Sequence, residues 1–282
     1  FIEALNRYFK ITEDTKFIKE MMPVVNKILG YYTTPVGATL SARPYLDTDN
    51  LIVVPAQSTW MDADTGGKAV TPRNGKPVEI QGLFYNALKI AAEFNKLHKG
   101  SLRGEAEAIS KQYEELSEKV KLAINEKFFN VAAGYPYDVL DGDPHKDAVR
   151  PNAVFLLSLS KIDDLLPQNV KSTIIDVIEK DLLTPYGLRT LSPKDTKYIS
   201  KYDTFAPQEV KDQAYHQGTV RPWLISHYIF GKTEFMKNRP YEEVVTEIKK
   251  GLNNLVYIIR ENGTVPEVFS GDVPYIAGGT VS

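Results

Sequence analysis

The chain has 282 residues, of which 43% are hydrophobic, enough to fill the core of one large globular domain. Its 34 Lys and Arg against 36 Asp and Glu leave a net charge of −2, which excludes nucleic acid and an anionic membrane as expected partners and favours a neutral, polar ligand. The absence of cysteine excludes a disulfide framework, a thiolate metal site and a thiol nucleophile, and points to a reducing cytoplasm.

Helical periodicity dominates in chain order. Residues 1–10 open the chain inside an amphipathic helix. Ile18, Met21, Met22, Val25, Ile28 and Leu29 mark a second, and Ile80, Leu83, Phe84, Ala87, Leu88 and Ala91 a third. Ile109, Tyr113, Leu116, Val120 and Ile124 give a fourth, and residues 151–160 a fifth. Val170, Ile174, Val177 and Ile178 give a sixth, residues 212–230 a seventh, and Val245, Ile248, Leu252, Leu255 and Ile259 an eighth. Short connections at 11–13, 99–104, 161–167 and 231–240 alternate with long ones at 31–76, 131–150, 184–211 and 261–282. Short turns make helical hairpins, and a long loop after every hairpin collects the long loops at one end of the stack. No constant repeat period supports an open solenoid. The expected fold is therefore all-α, one domain over 1–282, fitting within a six-hairpin α/α toroid. Four helices would come from outside the fragment, which is expected to be incomplete at both ends. No apolar run reaches the roughly 18 residues of a membrane span.

The long loops are rich in Trp, Tyr, Asp, Arg and Pro, an unlikely composition for disorder. Ser58-Thr59-Trp60-Met61-Asp62-Ala63 sets an aromatic ring beside a carboxylate, and Thr71-Pro72-Arg73 through Glu79 runs on into a helix. Sugar recognition uses this mixture, since rings cover the C–H faces of a pyranose while carboxylates, amides and Arg bond its hydroxyls. On spacing alone Asp62 reads first as a loop or cap aspartate, as most loop aspartates are. Asp138, Asp141 and Asp143 lack the spacing of a calcium loop and read as solvated acids. Asn152, Glu79, His216 and Gln217 stand at starts of helices that follow long loops, with Trp223 two turns after His216. His98, His145 and His227 share no ligand spacing with His216, and no Gly-rich loop joins a strand to a helix, so no metal or cofactor is expected. Glu267 lies between Pro266 and Val268, apolar neighbours that suit a carboxylate exchanging protons near neutrality.

Ser58 through Ala63, Thr71 through Ile80, Gly187-Leu188-Arg189-Thr190-Leu191-Ser192-Pro193, Tyr215-His216-Gln217-Gly218-Thr219-Val220 and the last loop through Glu267 together resemble the glucosidase domain of glycogen debranching enzymes. The resemblance covers nearly the whole chain. It implies an (α/α)6 toroid, amylo-α-1,6-glucosidase activity on a branched α-glucan, Asp62 as general acid and Glu267 as general base of an inverting reaction. Trp60, Arg73, Glu79, Arg189, His216, Gln217 and Trp223 are assigned to sugar binding or loop support. The chain departs from the family pattern at Arg221, where Trp is usual, and at Ser270, where Asp often stands. The family's Gly-Arg-Asp motif would precede Phe1. Alternatives are another exo-acting glucosidase of the same clan, of glucoamylase, trehalase or glucosylglycerate type, and a sugar-binding toroid without activity.

Overall fold

A computed structural model describes residues 1–33, 43–97 and 103–281. Nine α-helices lie among the described residues: α1 (Ile2–Thr12), α2 (Thr15–Thr33), α3 (Val78–Asn95), α4 (Arg103–Lys127), α5 (Phe155–Ser158), α6 (Gln168–Val177), α7 (Gln208–Tyr215), α8 (Leu224–Phe235) and α9 (Tyr241–Asn262). The expected turn at 99–104, part of the loop at 31–76 and His98 lie wholly or partly outside the described residues.

Local chemistry sets the helix ends. Glu13 takes a left-handed conformation and returns its N–H to Phe9 O, which ends α1. One residue later the Asp14 carboxylate accepts from the Phe17 N–H at 3.0 Å and starts α2. Ile18, Met22, Val25 and Leu29 form the buried stripe of α2 at alternating spacings of four and three. Gly263, again left-handed, closes α9.

Helix α3 departs from the expected one-sided stripe. It is flanked by α1, α2, α4 and α5, so polar Glu79, Gln81, Asn86 and Asn95 are buried with its apolar residues. Each needs a partner inside the protein. Gln81 exchanges two 2.8 Å hydrogen bonds with the backbone of Ile52, and Asn95 bonds back to Ala91 O.

Two expected helices break up. Residues 151–160 form a 3₁₀ turn (Pro151–Val154) and the single turn α5, all buried. Residues 212–230 divide into α7 and α8. Gly218 has φ +139, and a Cβ there would meet the Tyr198 ring at 2.5 Å, so the chain leaves the helix before Pro222.

The long connections are not irregular throughout. Short strands β1 (Tyr45–Leu46) with β2 (Ile52–Val53), β3 (Asp64–Thr65) with β4 (Lys68–Ala69), and β6 (Phe129–Asn130) with β7 (Tyr135–Pro136) are local pairs. Strands β5 (Lys76–Pro77) and β8 (Val139–Leu140) join two different long loops. An antiparallel sheet in the order β13-β12-β11-β10-β9 comprises β9 (Leu183–Thr184), β10 (Gly187–Arg189), β11 (Val220–Arg221), β12 (Pro266–Phe269) and β13 (Ala277–Val281). The Ser192 N–H donates to Val149 O, the Ile199 N–H to Gln217 O and the Gly271 N–H to Ser200 O. The loops therefore form one connected layer over a mainly helical body. None of the described helices is long and apolar enough to cross a membrane.

Candidate active site

Asp62 is exposed beside Met61, which is fully buried. The buried residue anchors its neighbour: Met61 O accepts from the Thr71 hydroxyl at 3.0 Å, and Met61 Sδ lies 3.6 Å from Asn152 Nδ2. The residue before it is held by the same partner, with Trp60 Nε1 donating to Asn152 Oδ1 at 2.8 Å. The carboxylate is thus presented to solvent from a loop whose two preceding residues are both held by Asn152.

Beneath this loop lies a buried polar network. Arg73, 1% exposed, donates to both oxygens of Glu79 at 2.5 and 2.7 Å and to both oxygens of Asp138 at 2.6 and 3.0 Å. A further bond to Thr59 Oγ1, 3.1 Å long, reaches the loop itself. Burial alone would favour loss of the Arg73 proton, but Asp138 and Glu79 outweigh it and hold the guanidinium charged, with its pKa raised. Arg150 stands alongside with Nη1 on His216 O (2.6 Å) and Thr190 O (3.0 Å), and Nη2 on Gln217 Oε1 (2.8 Å).

This network corrects one expectation and divides another. Asp138 and Asp143 are buried, not solvated: Asp138 bonds Arg73 and Asn152, and Asp143 accepts the backbone N–H of Arg73 at 2.9 Å. Only Asp141 of the three keeps substantial exposure, with its side chain 66% accessible. Arg73, Glu79 and Gln217 have their polar groups engaged inside the protein, the arrangement of loop support. Arg150 and Asn152 join them as supporting residues.

Glu267 occupies strand β12, not an open loop. Its Oε1 accepts from the Tyr215 hydroxyl and lies 2.9 Å from Arg221 Nη1, with the side chain 32% exposed. The carboxylate oxygen therefore has charged and polar partners, while the residue also lines an apolar cavity with Leu252, Leu255 and Val265, so the apolar surroundings expected from Pro266 and Val268 are met in part. Tyr215 stays a protonated donor, because burial and the Glu267 carboxylate both raise its pKa. Arg189 supports the same sheet through Nε on Gly271 O at 2.8 Å.

Aromatic rings connect the two carboxylate neighbourhoods. Trp60 meets the His216 ring edge-on at 5.4 Å and the Trp223 ring at 5.2 Å, and His216 lies 4.9 Å from the Tyr215 ring. Trp223, 43% exposed, also lines a cavity of about 330 Å³ together with Pro222, Leu252, Leu255, Pro266 and Glu267. Such a wall, one indole among aliphatic side chains with a single carboxylate, suits the C–H face of a sugar. His216 is buried with its Nδ1 lacking a hydrogen-bond partner.

Both histidines in this region are held neutral. Burial, and then Arg221, Arg150 and Arg73, lower the His216 pKa to about 2; burial and then Arg7 lower that of His227 to about 4. An unfolded histidine takes up a proton near 6.5. Since the folded values are depressed, stability is full above that pH and falls as pH drops from about 6.5 towards the folded values, by up to about 1.4 kcal/mol per pH unit for each group. The carboxylates with lowered pKa, among them Glu3 and Asp49, add their loss only at more acidic pH. Urea unfolding at pH 7.5 and pH 5 is expected to show the weaker fold at pH 5. Equal stability at the two would show that these histidines are not held neutral.

A family model described as amylo-alpha-1,6-glucosidase matches residues 1–282. The glycogen debranching enzyme of Saccharomyces cerevisiae is 27% identical over 208 residues, covering 61% of this chain and 13% of the yeast protein. The chain thus corresponds to a small part of that relative's length. With the match running from the first residue to the last, through the Asp62 loop, the Trp223 cavity and the Glu267 strand alike, the chain belongs to the amylo-alpha-1,6-glucosidase family.

Proposed function

We propose that this chain is the glucosidase part of a cytoplasmic glycogen-debranching enzyme, and that it removes the α-1,6-linked glucose at a branch point by an inverting mechanism. The observation that carries this reading is the ring contact between the two carboxylate neighbourhoods. Trp60 adjoins Asp62, Trp223 shares a cavity with Glu267, and the two indoles are 5.2 Å apart. A glucose ring against Trp223 would lie beside both carboxylate neighbourhoods.

Asp62, protonated, gives its proton to the glycosidic oxygen as the bond from C1 breaks. Glu267 takes a proton from a water whose oxygen bonds to C1 from the opposite face. The products are free glucose of inverted configuration and the shortened glucan, and solvent returns the proton to Asp62 and removes it from Glu267. Such a mechanism places the carboxylates about 6.5 to 9.5 Å apart, leaving room for the water. Arg221 beside Glu267 supports the role of base, because a guanidinium in hydrogen-bond contact favours a carboxylate in its ionised form. Trp60 and Trp223 are assigned to the sugar; His216, buried against Trp60, joins Arg73, Glu79, Gln217 and Arg189 in holding the loops that carry the site. The helices are proposed to form part of a six-hairpin toroid.

A product assay on a singly branched dextrin tests the reading. Free glucose, initially the β anomer, is expected from the branched dextrin, with turnover unaffected by EDTA. Faster release from maltose or trehalose would favour another exo-glucosidase of the clan. Binding with no turnover of any of the three would favour a sugar-binding domain.

A further inference from the structure

The Glu267 carboxylate is held by two donors on two different elements, and one residue organises both. Arg221, on β11, is 3% exposed in its side chain. Its Nη1 donates to Glu267 Oε1 at 2.9 Å, its Nη2 donates to Tyr215 O at 3.0 Å, and its guanidinium carbon lies 3.7 Å from the centre of the Tyr215 ring. The Tyr215 hydroxyl in turn donates to the same Oε1. Strand β11 pairs with β12 through Val220 and Phe269, so backbone hydrogen bonding carries Arg221 and Glu267 together. On its other side β11 is packed closely: a Cβ on Gly187 would lie 2.4 Å from Arg221 O.

We infer that Arg221 and Tyr215 are positioning residues for the general base, a clamp that fixes Oε1 of Glu267 and holds the carboxylate ionised and aimed at the attacking water. The inference rests on the proposed role of Glu267. Its physical content is that three separate contacts on Arg221 confine the cation to one place, and the stacked phenol is confined with it. Two donors on one oxygen then fix the orientation of the carboxylate without either donor touching the sugar.

A positioning role predicts a fall in kcat with little change in KM, since the ground-state sugar contacts are untouched. In the intact protein, Arg221→Met is expected to lower kcat on the branched dextrin about 10- to 100-fold, the factor associated with a charge-assisted hydrogen bond. Arg221→Lys, which keeps the charge, is expected to recover part of the loss. Tyr215→Phe, which keeps the ring under Arg221 and removes only the hydroxyl, is expected to lower kcat about tenfold. It carries the test alone if Arg221→Met does not fold. In a Glu267→Gln background, neither substitution is expected to cost anything further. Parental kcat in Tyr215→Phe, a loss confined to KM, or full additivity with Glu267→Gln would overturn the clamp. Undiminished activity of Glu267→Gln by itself would instead remove Glu267 as base, which separates failure of the proposed mechanism from failure of this inference.

Discussion

Asp62→Asn is expected to lose α-1,6 branch cleavage by about 10²- to 10⁴-fold while retaining most of its activity on α-glucosyl fluoride. The reason lies in the leaving group. A sugar alkoxide cannot depart without a proton, whereas fluoride needs that proton much less, so removing the acid matters only for the first substrate. Glu267→Gln is expected to fail on both, because a water must be activated whichever group leaves. Acid or base assistance of this size corresponds to roughly 3 to 5 kcal/mol of barrier, far above assay error. Asp62 is exposed and forms no ion pair among the described residues, so its substitution removes none there. Glu267→Gln replaces one partner of the Arg221 ion pair, so circular dichroism and thermal unfolding must accompany its kinetics. If Glu267→Gln kept the fluoride activity while Asp62→Asn lost it, the two roles would be exchanged. If both kept the branch activity, neither residue would be catalytic.

The two members of this pair were legible in different ways. Asp62 stands in a run, Ser58 through Ala63, whose mixture of ring and carboxylate already suggests sugar chemistry, and the structure keeps that local relation by pinning Trp60 and Met61 to Asn152. Glu267 is singled out by its apolar neighbours and given its role by family resemblance, and neither reading reaches its partners. The residue that defines its environment, Arg221, is 46 positions earlier, and nothing in Pro266-Glu267-Val268 discloses it. The same holds for Asp138, which reads as one of three solvated acids until Arg73, 65 positions away in sequence, is set against it. Charges in loops look solvated from sequence because solvation is the usual outcome; long-range pairing is what overrides it.

Secondary structure followed the same division. The long helices announced themselves, since α2 and α4 keep a one-sided apolar stripe. Strands of two to five residues are too short to display a period of two, so the sheet from β9 to β13 was hidden within what reads as loop. Helix α3 was found, but its buried polar residues were not. A helix packed on several sides carries polar groups inward when other parts of the chain supply their partners, as Ile52 does for Gln81.

Arg73→Met is expected to destabilise the fold by about 3 to 5 kcal/mol, the cost of removing one partner from a buried ion pair. The cation lies between Glu79 and Asp138, whose side chains are 2% and 3% exposed. Methionine fills much of the same volume but leaves those carboxylates facing each other without compensation or access to water, and such groups are costly because they must either remain charged while desolvated or take up a proton. For a chain of this size the melting temperature is expected to fall by roughly 10 °C. Arg73 also donates to Thr59 and holds the Asp62 loop, so kcat is expected to fall in the folded fraction, with KM affected less. Direct contact with the sugar would give the opposite pattern, an unchanged melting temperature and a raised KM. Arg73→Met/Glu79→Met separates the ion-pair effect from simple loss of packing. Replacing both charges by apolar groups removes one of the stranded carboxylates, so the double variant is expected to lose less stability than the sum of the two single variants. Strict additivity would mean that Arg73 and Glu79 stabilise the fold independently, and the network under Asp62 would then not act as a unit.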